Sequence, residues 1–213
     1  DLDALLRQLC PDQSIDLVGH SMGGNVVMMY AGARPDRIRR LVNLEGFGMA
    51  ATRPSQAPGR IGQWLDELQA LEKGDLDLKP YPDAAAVAQR LMKTNKRLSQ
   101  DKADWLAQHW AKADAEGQWR ILGDAAHKVV NPYLYRVDEV LETYKRITAP
   151  TLVVEASDDS LSQWWKGKFT LEEFHERLKS VSNLKMATLQ DAGHMLHHDQ
   201  AEALAKLLED FLA

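Results

Sequence analysis

The sequence predicts an α/β fold built on a mostly parallel sheet, and three observations predict it. Short apolar stretches near 15–19, 38–44, 151–155 and 184–189 alternate with stretches of helical periodicity. That alternation is the pattern of a parallel sheet with right-handed crossovers. The stretch Ile15 to Tyr30 reads as a buried strand, a very tight turn and a helix, with Gly19-x-Ser21-x-Gly23 at the turn. Finally, Ser21, Glu45, Asp159 and His194 each fall just past an expected strand. In parallel sheets function collects at the carboxyl ends of strands, so these four converge on one end of the molecule.

Taken in order, Asp1 to Cys10 predicts a helix, with Leu2, Leu5, Leu6 and Leu9 on one face. Pro11-Asp12 ends it, and Ile15 to Gly19 is the first strand. The helix after Ser21 is nearly all apolar, which predicts burial on most sides. Gly32 and Pro35 close it. Ile38 to Leu44 is the second strand, ending at Glu45-Gly46. A Pro- and Gly-punctuated passage, Phe47 to Gly59, leaves the sheet. From there to about Arg136 the pattern is helical, with stripes at Ile61, Trp64, Leu65, Leu68 and Leu71, at Val87, Leu91 and Leu98, and at Trp105, Leu106 and Trp110. Four tryptophans (Trp64, Trp105, Trp110, Trp119) lie in this insert and are expected to form its core. The sheet resumes with a helix from Val137 to Ile147, a strand over Thr151 to Glu155 and a turn at Ser157 to Ser160. A helix marked by Leu171, Phe174, Leu178 and Val181 precedes the last strand, Leu184 to Leu189. The turn Asp191 to His194 and a closing helix from Ala201 to Leu212 complete the chain. The expected organisation is a core of residues 1–54 and 137–213 interrupted by a helical insert, 55–136.

Composition narrows the function classes. The 213 residues are enough for one domain with a sizeable core. A net charge of −5 argues against nucleic acid or an anionic membrane surface as the main partner. One cysteine, Cys10, excludes an internal disulfide framework and a cysteine-based zinc cluster, and fits a reducing, cytoplasmic setting. No apolar run approaches the ~20 residues of a membrane span.

The elbow carries the chemistry. A serine at the tip of a strained strand-to-helix turn has its hydroxyl pushed into the open. The flanking glycines are expected because a Cβ there would strike the neighbouring backbone. By composition alone the Gly-x-Ser-x-Gly pattern arises in roughly one chain in fourteen of this length, so its context matters more than its letters. A phosphate loop is disfavoured: there is no Gly-x-x-x-x-Gly-Lys-Ser/Thr spacing and no lysine nearby. Gly-x-Gly-x-x-Gly is absent as well. His194, His197 and His198 lack the His-Glu-x-x-His spacing of a metal site.

With these residues in view, the sequence resembles the α/β-hydrolase superfamily, in its branch of small serine esterases with a cap. The resemblance rests on Gly-His-Ser-Met-Gly-Gly at 19–24, Leu-Val-Asn-Leu-Glu-Gly-Phe-Gly at 41–48, Ala-Pro-Thr-Leu-Val-Val at 149–154 leading to Asp158-Asp159, and Ala-Gly-His-Met-Leu-His-His-Asp-Gln at 192–200. It runs through the whole chain, in the order Ser, acid, His. It implies Ser21 as nucleophile, His194 as general base and the Met22 N–H as an oxyanion donor. Counted from the strand end, the family pattern implies Asp159 as the acid, with Asp158 a solvated turn residue. Glu45 competes, because some relatives place the acid after the strand that follows the elbow. The implied activity is cleavage of an ester or similar activated carbonyl of a small-molecule substrate through an acyl-enzyme, with no metal or organic cofactor. Carbon–carbon hydrolysis, cofactor-free perhydrolysis, a non-catalytic binding member and an inactive fragment are the alternatives. The family also places several strands, a helix and the second oxyanion donor before the elbow. Those elements amount to roughly 60–80 residues, so an N-terminal segment or a partner chain is expected to complete the sheet.

Overall fold

A computed structural model describes residues 1–213. In chain order the elements are α1 (Leu2–Leu9), β1 (Ile15–His20), α2 (Met22–Ala33), β2 (Ile38–Leu44), α3 (Ala57–Glu72), α4 (Ala84–Thr94), α5 (Gln100–Trp110), β3 (Ala111–Ala113), β4 (Trp119–Ile121), α6 (Val137–Tyr144), β5 (Thr151–Ala156), α7 (Ser160–Trp165), α8 (Leu171–Leu178), β6 (Leu184–Leu189), α9 (Leu196–Asp199) and α10 (Ala201–Leu212). They form two compact units. One comprises Asp1–Ala51 and Tyr135–Ala213, the other Thr52–Leu134.

The first unit is an α/β sandwich. Its sheet has the order β1-β2-β5-β6, and every pairing is parallel. Alternation along the strands explains the layers, because successive side chains point to opposite faces. Leu41 and Val153 face one core with Met28, Tyr144, Ile147, Phe174 and Leu178. Val42, Leu44, Leu152 and Val154 face the other, with Leu196, Leu204 and Phe211. β5 is buried at every position and apolar at Leu152, Val153, Val154 and Ala156, as befits a central parallel strand. β1 pairs with β2 on one side only and forms the sheet edge, where Val18 is exposed. The expected α1 stripe buries only Leu6, and Leu5 and Leu9 stay exposed.

The second unit departs from the all-helical expectation. After α5 the chain turns into an antiparallel ribbon, β3 with β4, and Tyr81 bridges to Trp119. The core is Val87, Ala88, Leu98, Ala103, Leu106 and Ala107. Of the four tryptophans expected in this core, Trp119 packs against it, whereas Trp105 and Trp110 are exposed, and the centre is an alanine-rich contact of α4 on α5. No helix of the chain is long and apolar enough to cross a membrane.

Candidate active site

The elbow is built by sterics and by one strained residue. Ser21 has φ 55° and ψ −117°, outside the ordinary wells of a residue with a side chain. Such strain costs about 1–3 kcal/mol and persists only where the surroundings enforce it. Here the Ser21 N–H donates to the Leu44 carbonyl (2.8 Å), and the Ser21 carbonyl accepts from Asn25 N–H (3.1 Å). A Cβ on Gly19 would lie 2.2 Å from the Gly23 carbonyl oxygen, and one on Gly24 would lie 2.3 Å from Asn43 Oδ1 and 3.0 Å from Gly46 Cα. Gly23 differs from expectation, since a Cβ there meets nothing within 4 Å. The steric need thus falls on Gly19 and Gly24.

His194 lies in the loop after β6. Its Nε2 is 2.8 Å from Ser21 Oγ, and its Nδ1 is 3.2 Å from Glu45 Oε2. Glu45 is only 2% exposed. It too has a positive φ, 55°, and its other oxygen accepts the Ala156 N–H at 2.7 Å. The Glu45 N–H donates to the Val154 carbonyl (3.0 Å), continuing the β2–β5 ladder one step past the strand. The next turn is clamped by Asn43, whose Oδ1 accepts from Gly46 N–H (2.9 Å) and whose Nδ2 donates to the Gly46 carbonyl (2.8 Å). Asn25 Oδ1 then accepts from Gly48 N–H (2.8 Å), and the buried Arg177 donates to the Met49 carbonyl (2.7 Å). The carboxylate is therefore fixed from both ends of its loop.

Asp159, expected against His194, is elsewhere. It is exposed and serves as the N-cap of α7, accepting the Ser162 N–H (2.9 Å) and the Ser162 hydroxyl. An N-cap side chain folds back over its own helix, which turns it away from the neighbouring loop. The expectation of an Asp159–His194 pair is corrected on this geometry: the carboxylate facing the imidazole is Glu45. The turn after β5 does support the histidine loop, through Asp158 N–H to the Ala192 carbonyl (3.0 Å). The N–H groups of Met22, Gly23 and Gly24, in the first turn of α2, have no acceptor within the helix.

Two further residues touch His194, and the sequence pointed to no partner for either: His20, expected only to pack beside the elbow, and Trp164, one of several tryptophans that could line a pocket. Trp164, half-exposed on α7, sets its ring edge-on to His194 at 4.2 Å. His20 Nε2 lies 2.7 Å from the His194 carbonyl. The signal for His20 was present, as a polar ring ending a strand one residue before the serine. Asn43 was signalled likewise, as an amide within an apolar strand, which demands partners. Burial holds His20 below the usual imidazole value; the His194 and His198 rings add to this, and the bond to the His194 carbonyl and the Glu45 charge oppose it. Burial also pushes His197 down to about 4, reinforced by His198 and His20. No group of three or more His, Cys, Asp or Glu side chains is arranged to hold a metal ion.

A hydroxyl, an imidazole and a buried carboxylate in series can shuttle a proton off the hydroxyl and stabilise the imidazolium that results. Comparison with known proteins agrees with this fold. The model of the alpha/beta hydrolase fold family matches residues 1–201. The chain belongs to that family. A serine hydrolase-like protein of Danio rerio is 25% identical, over 92% of this chain and 60% of its own. The sn-1-specific diacylglycerol lipase of Mus musculus is 24% identical, over 100% and 63%. The chain thus spans about three fifths of the length of these relatives. Among solved structures, a thioesterase domain from the curacin biosynthetic pathway superposes with TM-score 0.75 at 28% identity, covering 98% of this chain and 69% of that one. A hypothetical protein from Pseudomonas aeruginosa superposes with TM-score 0.81 at 24% identity, over 99% and 72%.

Proposed function

We propose that this α/β-hydrolase cleaves esters, thioesters or similar activated carbonyls through an acyl-enzyme on Ser21. The observation that carries the reading is the unbroken series from Ser21 Oγ through His194 Nε2 and Nδ1 to Glu45 Oε2, at 2.8 and 3.2 Å. Ser21 Oγ attacks the carbonyl carbon while His194 Nε2 takes its proton. Glu45 accepts the Nδ1–H and stabilises the imidazolium. The oxyanion of the tetrahedral intermediate is met by the Met22 N–H, at the positive end of α2. His194 then protonates the leaving alcohol or thiol, and water repeats the sequence in reverse roles. A serine at the elbow supports acyl transfer rather than epoxide or haloalkane chemistry, which in this fold uses a carboxylate nucleophile. Met22 and Trp164, 72% and 53% exposed beside Ser21 and His194, favour an apolar group next to the scissile bond. Two of the similar proteins are named for carbonyl cleavage, one as a diacylglycerol lipase and one as a thioesterase domain.

A fluorophosphonate probe and a series of nitrophenyl esters of graded acyl length test the reading together. The folded protein is expected to be labelled on Ser21 and to turn over at least one ester, and Ser21→Ala to do neither. A folded protein that is neither labelled nor active would replace hydrolysis with a binding role.

A further inference from the structure

His194 sits in a stretch without regular backbone pairing, between β6 and α9. A base that must meet Ser21 Oγ at hydrogen-bond distance cannot be left to a free loop, because a displacement of about 1 Å can cost on the order of 10²-fold in rate. Side chains on both flanks do the work that a ladder would do. Ahead of the histidine, the Gly193 N–H donates to Asp199 Oδ2 (2.9 Å), tying the loop to α9. Behind it, the His194 carbonyl lies 2.7 Å from His20 Nε2. His20 is the last residue of β1 and the immediate neighbour of Ser21. The strand that delivers the hydroxyl therefore also grips the backbone of the base.

We propose that His20 is a positioning residue: its Nε2–H fixes the His194 carbonyl and so sets the Ser21–His194 distance. This rests on the hydrolase reading for its effect on rate, but not for the bond itself. A carbonyl oxygen only accepts, so His20 must carry its proton on Nε2. The ring has a support of its own. His197, on α9, packs edge-on against it at 4.5 Å, and His198 meets His197 edge-on in turn at 4.2 Å. The titratable groups that face His20 are His194, His197, His198 and the Glu45 carboxylate. Burial keeps His20 and His197 on the neutral side at neutral pH. Neutrality matters because the His20 and His194 rings are 4.8 Å apart. A cationic His20 would oppose the imidazolium that forms on His194 in the transition state. A neutral imidazole donates the hydrogen bond without adding that charge.

Two variants and one spectroscopic measurement test this. His20→Leu keeps the bulk and removes the donor, whereas His20→Gln puts an amide N–H near the position of Nε2. His20→Leu is expected to lower kcat for a nitrophenyl ester by about 10–100-fold with KM changed less than about twofold, and His20→Gln to recover most of the loss. Nitrogen NMR of the histidine-labelled wild-type protein at neutral pH is expected to show His20 protonated on Nε2. An unchanged kcat in His20→Leu, a folded His20→Gln as slow as the leucine variant, or a bare Nε2 on His20 would each overturn the proposal. Should His20→Leu not fold, the glutamine variant and the spectrum decide. A folded wild-type protein that is neither labelled by the fluorophosphonate nor active would sink the hydrolase reading alone, and the tautomer of His20 would still settle whether the bond exists.

Discussion

Two strand ends carry carboxylates toward the same histidine, and they meet opposite fates. After β2, Glu45 is buried, holds a left-handed backbone conformation and faces His194 Nδ1. After β5, Asp159 is exposed and spends both oxygens on Ser162. Both follow apolar strands, and both belong to loops at the functional end of the sheet. What separates them is competition. Asp159 has a local partner three residues on, in the first turn of α7, and a short side chain satisfied locally does not reach out. Glu45 has no such helix after it. The chain instead turns sharply at Gly46, pinned by Asn43, and the longer glutamate side chain is directed between the Ala156 N–H and His194. A carboxylate's role is thus decided by what else in its own loop can satisfy it.

The largest expected effect comes from breaking the buried member of the pair. Glu45→Gln keeps the size and leaves an oxygen for the Ala156 N–H. It then presents an amide NH₂ to His194 Nδ1, which selects the wrong imidazole tautomer for accepting the Ser21 proton. A loss of about 10³–10⁴-fold in kcat is expected, by analogy with acid-to-amide changes in such triads. Asp159→Asn, assayed on the same ester, is expected to stay within about threefold of wild type, because asparagine caps a helix as well as aspartate. The opposite pattern would return the acid's role to Asp159.

A middle-sized effect should come from the packing that shapes the Glu45 turn. Gly24→Ala and Gly23→Ala are neighbouring changes with opposite surroundings. In a helix, alanine is favoured over glycine by roughly 0.8–1 kcal/mol. At position 23 nothing opposes that gain, so thermal stability should be unchanged or higher. At position 24 the new methyl would drive into Asn43 Oδ1 and the Gly46 backbone, both within the clamp that holds Glu45. Overpacking of that kind costs about 1–3 kcal/mol, which exceeds the propensity gain. A lower Tm together with a lower kcat is expected for Gly24→Ala. If both variants were equally stable, the contact of α2 with the Glu45 turn would not be what shapes the site.

Much of this was legible in the sequence, and the exceptions have physical reasons. The sheet was readable because alternate residues of the 41–44 and 152–154 stretches must serve two apolar layers. Ser21 and His194 were readable from the elbow and from the resemblance, and the structure brings them to 2.8 Å. The carboxylate that faces His194 was not, because strand ends look alike in sequence, while φ at Glu45 and the hydroxyl of Ser162 decide the outcome in three dimensions. The β3–β4 ribbon was invisible because each strand is three residues long and the first follows a helix without a break. No periodicity can be counted over three residues. The insert's aromatic residues misled for a related reason: Trp105 lies across from His109 on the same exposed turn of α5, a contact that a stripe of apolar letters does not reveal.

The smallest expected effect belongs to Asp159 itself and concerns stability rather than chemistry. Asp159→Ala removes the acceptor of the Ser162 N–H at the start of α7. Loss of an N-cap costs typically about 1 kcal/mol. α7 is six residues long and carries Trp164 against the His194 ring, so its first turn bears on the site although its cap does not. Asp159→Ala should therefore lower the urea midpoint modestly and shift KM for an apolar ester by a few-fold, about as a misplaced aromatic wall would, while kcat holds. A fall in kcat with KM unchanged would mean that Asp159 acts on His194 after all, in a conformation that only the substrate-bound protein adopts.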